Sequence, residues 1–473
     1  MNVCACKPTE THQRDHNTSV ERNERRRERR NLRHLYDMLS KHPQASRAQR
    51  RLASLLPLLL LVTISPCSTL PAPTASGSAS SPVSCVDETG AAVDWWFMIK
   101  HPKYNDKPQK ECVGNCDGDT YVYVTSVHPQ TWLVGTEPVS SSTGSLLGAQ
   151  LKGIYNGSVN NYVFYNDQLP DGSWSTVYGH SKGFFAFDND SAYFVQHSIP
   201  KFPNYVKDGY LYGSGQMWYG QHAFCMTLTP KALDAIAGVM RYANPQVFDH
   251  ALSDTSLSNV NQVAAMKSSG GTTHTTVSAG WADLTLFGKD SACDEDMLDS
   301  LASPGLKTTL LSQSWLNSGG PIGGYCPSSG VDVFDILQLQ LPGAKPADTH
   351  ATYEDHSKWA VAKDDGSPWW CALDNNHVAS QLTRSGLAVC WQNADIAALL
   401  RGVATETGPC GAPSPPTPKP GSCCFYDDTK CVSGQICCSS STKKSYKSES
   451  TCYRYGDKHH CVWEASTNVC DIP

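Results

Sequence analysis

Two copies of the tripeptide His-Ser-Lys stand far apart in the chain. His180 and Lys182 lie in "YGHSKGFFAFD", and His356 and Lys358 lie in "YEDHSKWAVAKDDGSPWWC". In an extended segment the side chains at i and i+2 leave the same face, so each copy presents an imidazole beside an ammonium. An ammonium neutralises a non-bridging phosphate oxygen, while an imidazole attacks phosphorus or protonates a leaving oxygen. One pair cannot do both jobs. Two pairs facing one phosphodiester supply a nucleophile, an acid and two cations without a metal ion. A lone tripeptide of this kind is by default surface decoration, and two can arise by chance in 473 residues. The surroundings argue otherwise: the first copy runs into an apolar strand-like stretch, and the second has two carboxylates before it and Trp359 after it.

The elements that must carry these residues are of both kinds. "YVFYND" and "FFAFD" read as strands, whereas "PKALDAIAGVMRYA" and "NADIAALLRGV" read as helices. The mixture predicts an α/β (α+β mixed) body from Cys85 to Cys410. Ser268 to Trp281, "SSGGTTHTTVSAGW", has no clear period and is expected to be loop. Trp95, Trp96, Trp369 and Trp370 belong by default to the core, with a stack on a nucleobase as the sharper reading.

Outside the body the chain changes character. Residues 1–67 read as a basic n-region and a signal peptide. An apolar run from Leu52 to Ile64, about 13 residues, is short for a bilayer and interrupted by Pro57. A signal anchor is the alternative, and Met38 is a second candidate start. Residues 68–84 are a flexible segment rich in Pro, Ala and Ser, and 411–422 a stiff Pro-rich linker. Residues 423–473 hold eight cysteines, a density expected of a small module closed by disulfides, with zinc ligation as the minor alternative. His459 and His460 in this tail read as a surface pair. Asn156 in "NGS" and Asn189 in "NDS" are glycosylation sequons.

Charge narrows the function. The chain carries a formal −6, but residues 1–51 are basic, and the remainder is near −13. Such a surface repels nucleic acid at neutral pH and repels it less in acid, where carboxylates take up protons and histidines charge. No Gly-rich phosphate loop, H-E-x-x-H or G-x-S-x-G elbow occurs, and neither metal nor cofactor is implied.

The stretch from Cys85 to Cys410 resembles the deoxyribonuclease II family, acid endonucleases on a phospholipase D-like scaffold. "CVDETGAAVDWWFMIKHP", "YNDQLP", "GHSKG", "HSIPKFP", "YGQHAFC" and "EDHSKW" occur in the family's order. The resemblance implies a pseudo-dimer of two sheet-and-helix halves, with His180 and Lys182 meeting His356 and Lys358. It also implies metal-independent cleavage of DNA at acid pH through a phosphohistidine, leaving 3′-phosphate and 5′-hydroxyl ends. His180 is then the nucleophile and His356 the general acid, with the reverse assignment left open. Asp374 and Asn376, in "CALDNNH", match an Asp-x-Asn segment: Asn376 as a phosphate contact and Asp374 as an orienter of a histidine, against a plain structural turn. His197 and Ser198 are further substrate-binding candidates.

Implied disulfides are Cys85–Cys225, Cys326–Cys410 and Cys371–Cys390, with Cys112 and Cys116 bridging locally and Cys293 left over. Ala360 stands where some members carry a cysteine, and Phe187 stands where the wider superfamily has an aspartate, which here is Asp188. Two alternatives remain: a phospholipase D-type phosphodiesterase, and a secreted binding protein with an inactive nuclease body. Expected partners are DNA, a glycan or cell-surface ligand for the tail, and a second copy in a homodimer. The expected location is the secretory pathway, ending in the lysosome or outside the cell.

Overall fold

The computed structural model describes residues 83–103, 117–316, 320–327, 330–343 and 348–411, with two short strands at 462–464 and 469–471. The chain divides into Met1–Ala79 and Ser80–Pro473, and every described residue belongs to the second unit. The basic leader, most of the flexible segment, the Pro-rich linker, Cys112 and Cys116 lie outside the described residues. So does the cysteine-rich tail, apart from the backbones of its two short strands, which pair antiparallel.

After a small hairpin of β1 (Cys85–Val86) and β2 (Ala92–Val93), eight strands form an antiparallel sheet. They are β3 (Trp95–Lys100), β4 (Tyr121–Thr125), β5 (Leu133–Val134) and β6 (Tyr162–Asn166). The other four are β7 (Lys182–Phe187), β8 (Ala192–His197), β9 (Gln221–Leu228) and β10 (Val247–Ala251). Their spatial order is β10-β6-β7-β8-β9-β3-β4-β5.

A second sheet takes β11 (Thr272–Ser278), β12 (Asp283–Lys289), β13 (Leu310–Gln313), β14 (Val333–Leu341) and β15 (Asp348–Ala351). It is completed by β16 (Trp359–Ala362), β17 (Trp369–Leu373), β18 (Gly386–Gln392) and β19 (Ala404–Thr407). The order is β11-β12-β18-β17-β16-β13-β14-β15, with β19 on β14, and only β13 and β14 run parallel. The stretch expected to be loop therefore contains an edge strand, β11. Its run of threonines suits a half-exposed strand, and period-2 hydrophobicity is absent because little of it is buried.

Each His-Ser-Lys leads into the same local order. From β7 the neighbours run β8, β9, β3; from β16 they run β17, β18, β12. The helices repeat it too. Thr229 caps α2 (Pro230–Ala243) directly after β9, and Asn393 caps α5 (Ala394–Val403) directly after β18. The other α-helices among the described residues are α1 (Leu146–Tyr155), α3 (Ser258–Ala264) and the single turn α4 (Ser303–Leu306), which continues a π-helix at Met297–Ala302.

Alternation along the strands explains the layers. Trp95, Phe97 and Ile99 face a core shared by both sheets and α2, which they build with Phe224, Trp370 and Trp391. Trp96 and Met98 face the opposite side, packing with α1 and Phe184. In the second sheet, Trp370 and Ala372 turn inward, while Cys371 and Leu373 pack outward near α4. Trp95, Trp96 and Trp370 are buried, so a stack on a nucleobase is not their role; Trp369 is only partly buried, against the outer cluster. Among the described residues there are three disulfides, Cys85–Cys225, Cys326–Cys410 and Cys371–Cys390, and Cys293 is free. No helix among the described residues is long and apolar enough to cross a membrane.

Candidate active site

Both His-Ser-Lys segments sit at the entrance of their strands, and each is held by the other sheet. The amide of His180 donates to the carbonyl of Ser385, just before β18, at 3.0 Å. The amide of His356 donates to the carbonyl of Gly220, just before β9, at 2.8 Å. Close backbone approach dictates glycine at two points here. A Cβ on Gly220 would lie 2.4 Å from the Asp355 carboxylate, and one on Gly179 would lie 1.9 Å from the Ala243 carbonyl oxygen.

The crossing brings the four side chains within electrostatic reach. Burial, then Lys182, Lys358 and Arg384, hold His180 well below the ordinary histidine range. Burial, then Lys358, Lys182 and Lys100, do the same to His356. Lys358 is lowered to about 7, by burial first and then by Lys182, despite Asp167, Asp374 and Asp355. Each motif thus feels the other's ammonium.

Around His180 the partners are specific. Its Nδ1 lies 3.0 Å from the carbonyl oxygen of Asp374, so Nδ1–H donates there and Nε2 keeps the lone pair. Nε2 stands 4.0 Å from the Asp167 carboxylate at the end of β6. Asp167 bonds Lys182 closely and receives the Arg384 guanidinium at 2.9 Å. The first motif's carboxylate therefore comes from a neighbouring strand. Asp188, past the end of β7, instead caps the turn to β8 through Asp190 and Ser191.

His356 lies between aromatic rings, stacked on Tyr219 at 4.0 Å and 4.2 Å from Trp315. Its Nε2 is buried with no hydrogen-bond partner among the described residues. Behind it, Asp355 accepts from the Ser357 amide at 2.6 Å and lies 2.9 Å from His350 Nε2. The Lys358 amide donates to His222 Nδ1 at 3.0 Å, and its ammonium donates to the His356 carbonyl at 2.7 Å.

The four substrate-binding candidates are buried beside this centre but are engaged with protein groups. Asp374 accepts from the Ser181 hydroxyl at 2.6 Å, the Gln196 amide at 2.8 Å and the Leu387 amide at 2.9 Å. Burial raises its carboxyl to about 6 against those bonds. It meets His180 through its main-chain carbonyl, not its carboxylate. Asn376 Oδ1 accepts from the Trp315 amide at 3.3 Å. His197 Nδ1 accepts from the Ile199 amide at 3.1 Å, its ring packed on Phe184 and Phe202. Ser198 donates to Gln221 at 2.6 Å. Asn156 and Asn189 are exposed.

Sequence reasoning assigned no role to Asp167, Tyr219, His222, Trp315 or Arg384. Three of these stand in ordered motifs, "YNDQLP" and "YGQHAFC", where the signal was available. Trp315 and Arg384 stand in loops with no local mark. Close by, His377 bonds Asp335 at 2.7 Å and Asp299 at 3.1 Å, with Asp296 at 3.8 Å.

Comparison with known proteins gives a family model, Deoxyribonuclease II, that matches residues 84–410. Deoxyribonuclease-2-alpha of Mus musculus is 31% identical over 327 residues, 66% of this chain and 88% of the relative. Deoxyribonuclease-2-beta of Homo sapiens is 29% identical over 335 residues, 68% of this chain and 90% of the relative. Plancitoxin-1 of Acanthaster planci is 28% identical over 343 residues, 70% of this chain and 93% of the relative.

Proposed function

The chain belongs to the deoxyribonuclease II family, and from that premise we propose that it is an acid endodeoxyribonuclease working without metal on two phospholipase D-like halves. The observation that carries the reading is the crossing of the two His-Ser-Lys segments, the His180 amide held by the Ser385 carbonyl and the His356 amide by the Gly220 carbonyl.

The steps follow from atoms. Lys182 and Lys358 neutralise the non-bridging oxygens of the scissile phosphate. His180 Nε2, its lone pair free because Nδ1–H is held by Asp374, forms the N–P bond while the P–O5′ bond breaks. The departing oxygen takes its proton from His356, giving a 5′-hydroxyl. Neutral His356 then deprotonates a water that attacks phosphorus, and the N–P bond breaks to release a 3′-phosphate and His180. Asp167 holds Lys182 and Arg384 in place behind the phosphate. Asn376, His197 and Ser198 shape the walls rather than grip the substrate.

Acid is required for two reasons. Both histidines are depressed, so protonating one of them needs low pH or the added charge of a bound phosphate. Lys358, lowered to about 7, is fully charged only below that pH. Disulfides in the body suit formation in the oxidising secretory pathway, and an enzyme sent from there to an acidic lysosome meets both conditions.

Plasmid nicking at about pH 5 in chelator tests the reading, beside His180→Ala and His356→Ala and a lipid phosphodiester assay. Expected are nicking by the wild type and losses of about a hundredfold or more in each variant. A phosphoenzyme should form in His356→Ala but not in His180→Ala. Full activity in either variant, or turnover of lipid alone, overturns the proposal.

A further inference from the structure

Two lysines outside the His-Ser-Lys segments are almost wholly buried and spend their ammonium groups on backbone. Lys100 ends β3 and donates to the carbonyls of His101 at 2.8 Å, Gly118 at 2.7 Å and Met217 at 3.1 Å. Lys289 ends β12 and donates to the carbonyls of Gln381 at 3.0 Å, Leu382 at 2.9 Å and Arg384 at 2.6 Å. Both show 0% exposure. An ammonium has three donors, and each finds three acceptors, which offsets the cost of burying the charge.

The two occupy equivalent places. Lys100 is the strand partner of Gln221, the residue after Gly220. Lys289 is the strand partner of Gly386, the residue after Ser385. Gly220 and Ser385 are the carbonyls on which His356 and His180 hang. Each lysine therefore ties down the loop that holds the histidine of the opposite sheet.

We infer that Lys100 and Lys289 are crossed positioning residues: Lys100 sets His356 through the 217–220 loop, and Lys289 sets His180 through the 381–385 loop. The inference rests on the proposed roles of the two histidines. Neither lysine touches substrate. The Lys289 clamp has a second effect, since it grips the main chain of Arg384, whose guanidinium reaches Asp167.

Charge gives Lys100 a further readout. It faces Asp355 and Asp119, and its own pKa is lowered to about 7 by burial, with both carboxylates opposing. Its positive charge is among the causes that depress His356. Lys289 faces Asp290, Cys293, Glu295 and Asp296.

The test uses the full chain with Lys100→Met and Lys289→Met, read by plasmid nicking across acid pH and by hydrogen exchange of the two histidine amides. Expected in each variant is a fall in kcat of about tenfold or more with KM little changed. In Lys100→Met the alkaline limb of the pH profile moves upward, because His356 is relieved of a neighbouring cation. The exchange pattern should be crossed: Lys100→Met loosens the His356 amide and spares that of His180, and Lys289→Met does the reverse. Wild-type rates in both variants, or equal loosening of both amides in each, overturn the inference. Should methionine at either site prevent folding, glutamine, which keeps two amide donors, takes its place under the same criteria. If the wild type fails to nick DNA, the proposed function falls, and the crossed exchange still decides this inference alone.

Discussion

Asp374 and His377, three residues apart and both buried, answer opposite electrostatic demands. Burial raises the Asp374 carboxyl to about 6, so the folded protein holds its proton more tightly than the unfolded chain does. The stabilisation this gives is complete below the ordinary aspartate value and is lost as pH rises through about 6. Asp374→Asn mimics the protonated form, and the Gln196 side chain, whose Oε1 has no partner among the described residues, rotates to meet it at the cost of its 3.2 Å bond to the Leu387 carbonyl. Thermal melts of this variant should stay near wild type at about pH 4 and lose most of the decline toward pH 6. A decline as steep as wild type would assign it to other groups. At His377 burial opposes the charge, but Asp296, Asp299 and Asp335 outweigh it and raise the imidazole well above its usual range. Its contribution is complete in acid and is lost only as pH climbs through that raised value. His377→Ala leaves buried carboxylates unpaired and should cost about 3–5 kcal/mol in denaturant unfolding. Full stability would mean the carboxylates protonate without penalty.

At the scale of elements, the site depends on where a strand begins. β9 starts beside Gly220 because its bare backbone can lie against Asp355, whose carboxylate holds the Ser357 amide and meets His350. Gly220→Ala drives a methyl group into that carboxylate. Nicking should fall about a hundredfold, a cost of displacement rather than of lost chemistry, while phosphoenzyme still forms slowly. An unchanged rate would show that Asp355 moves aside freely. The helices matter less directly. α2 ends at Asn244, whose carbonyl accepts the Gly179 amide next to His180. A helix end thereby fixes the approach to the first segment.

For the whole molecule, the decisive feature is that each sheet anchors the His-Ser-Lys segment of the other. Trp95, Phe97 and Phe224 from one sheet share a core with Trp370 and Trp391 from the other, and the histidine amides are exchanged between them. Residues 83–256 or 257–411 produced alone should therefore lack acid nicking, and mixing the two halves should restore part of it. Activity from either half alone would mean that one His-Ser-Lys suffices. The tripeptides, the strand and helix character of their surroundings and the order of the short motifs were all readable along the chain, because strand alternation and helix capping are local. β11 was not readable, since a half-exposed edge strand leaves no hydrophobic period. The positions of Asp167, Arg384 and Trp315 were equally hidden, because nothing in a loop's residues states which strand end it will meet.

The sequence alone thus determined the candidate residue types, two imidazoles and two ammoniums at i and i+2, because each tripeptide is legible without its context, although only Lys182 lies within a strand and the other three precede theirs. Tertiary structure alone decided which carbonyl holds His180 and therefore which nitrogen is free. It also decided that each histidine is anchored by the opposite sheet and that two buried lysines stand behind those anchors. These are contacts between residues remote in the chain, and only packing of the two sheets chooses them.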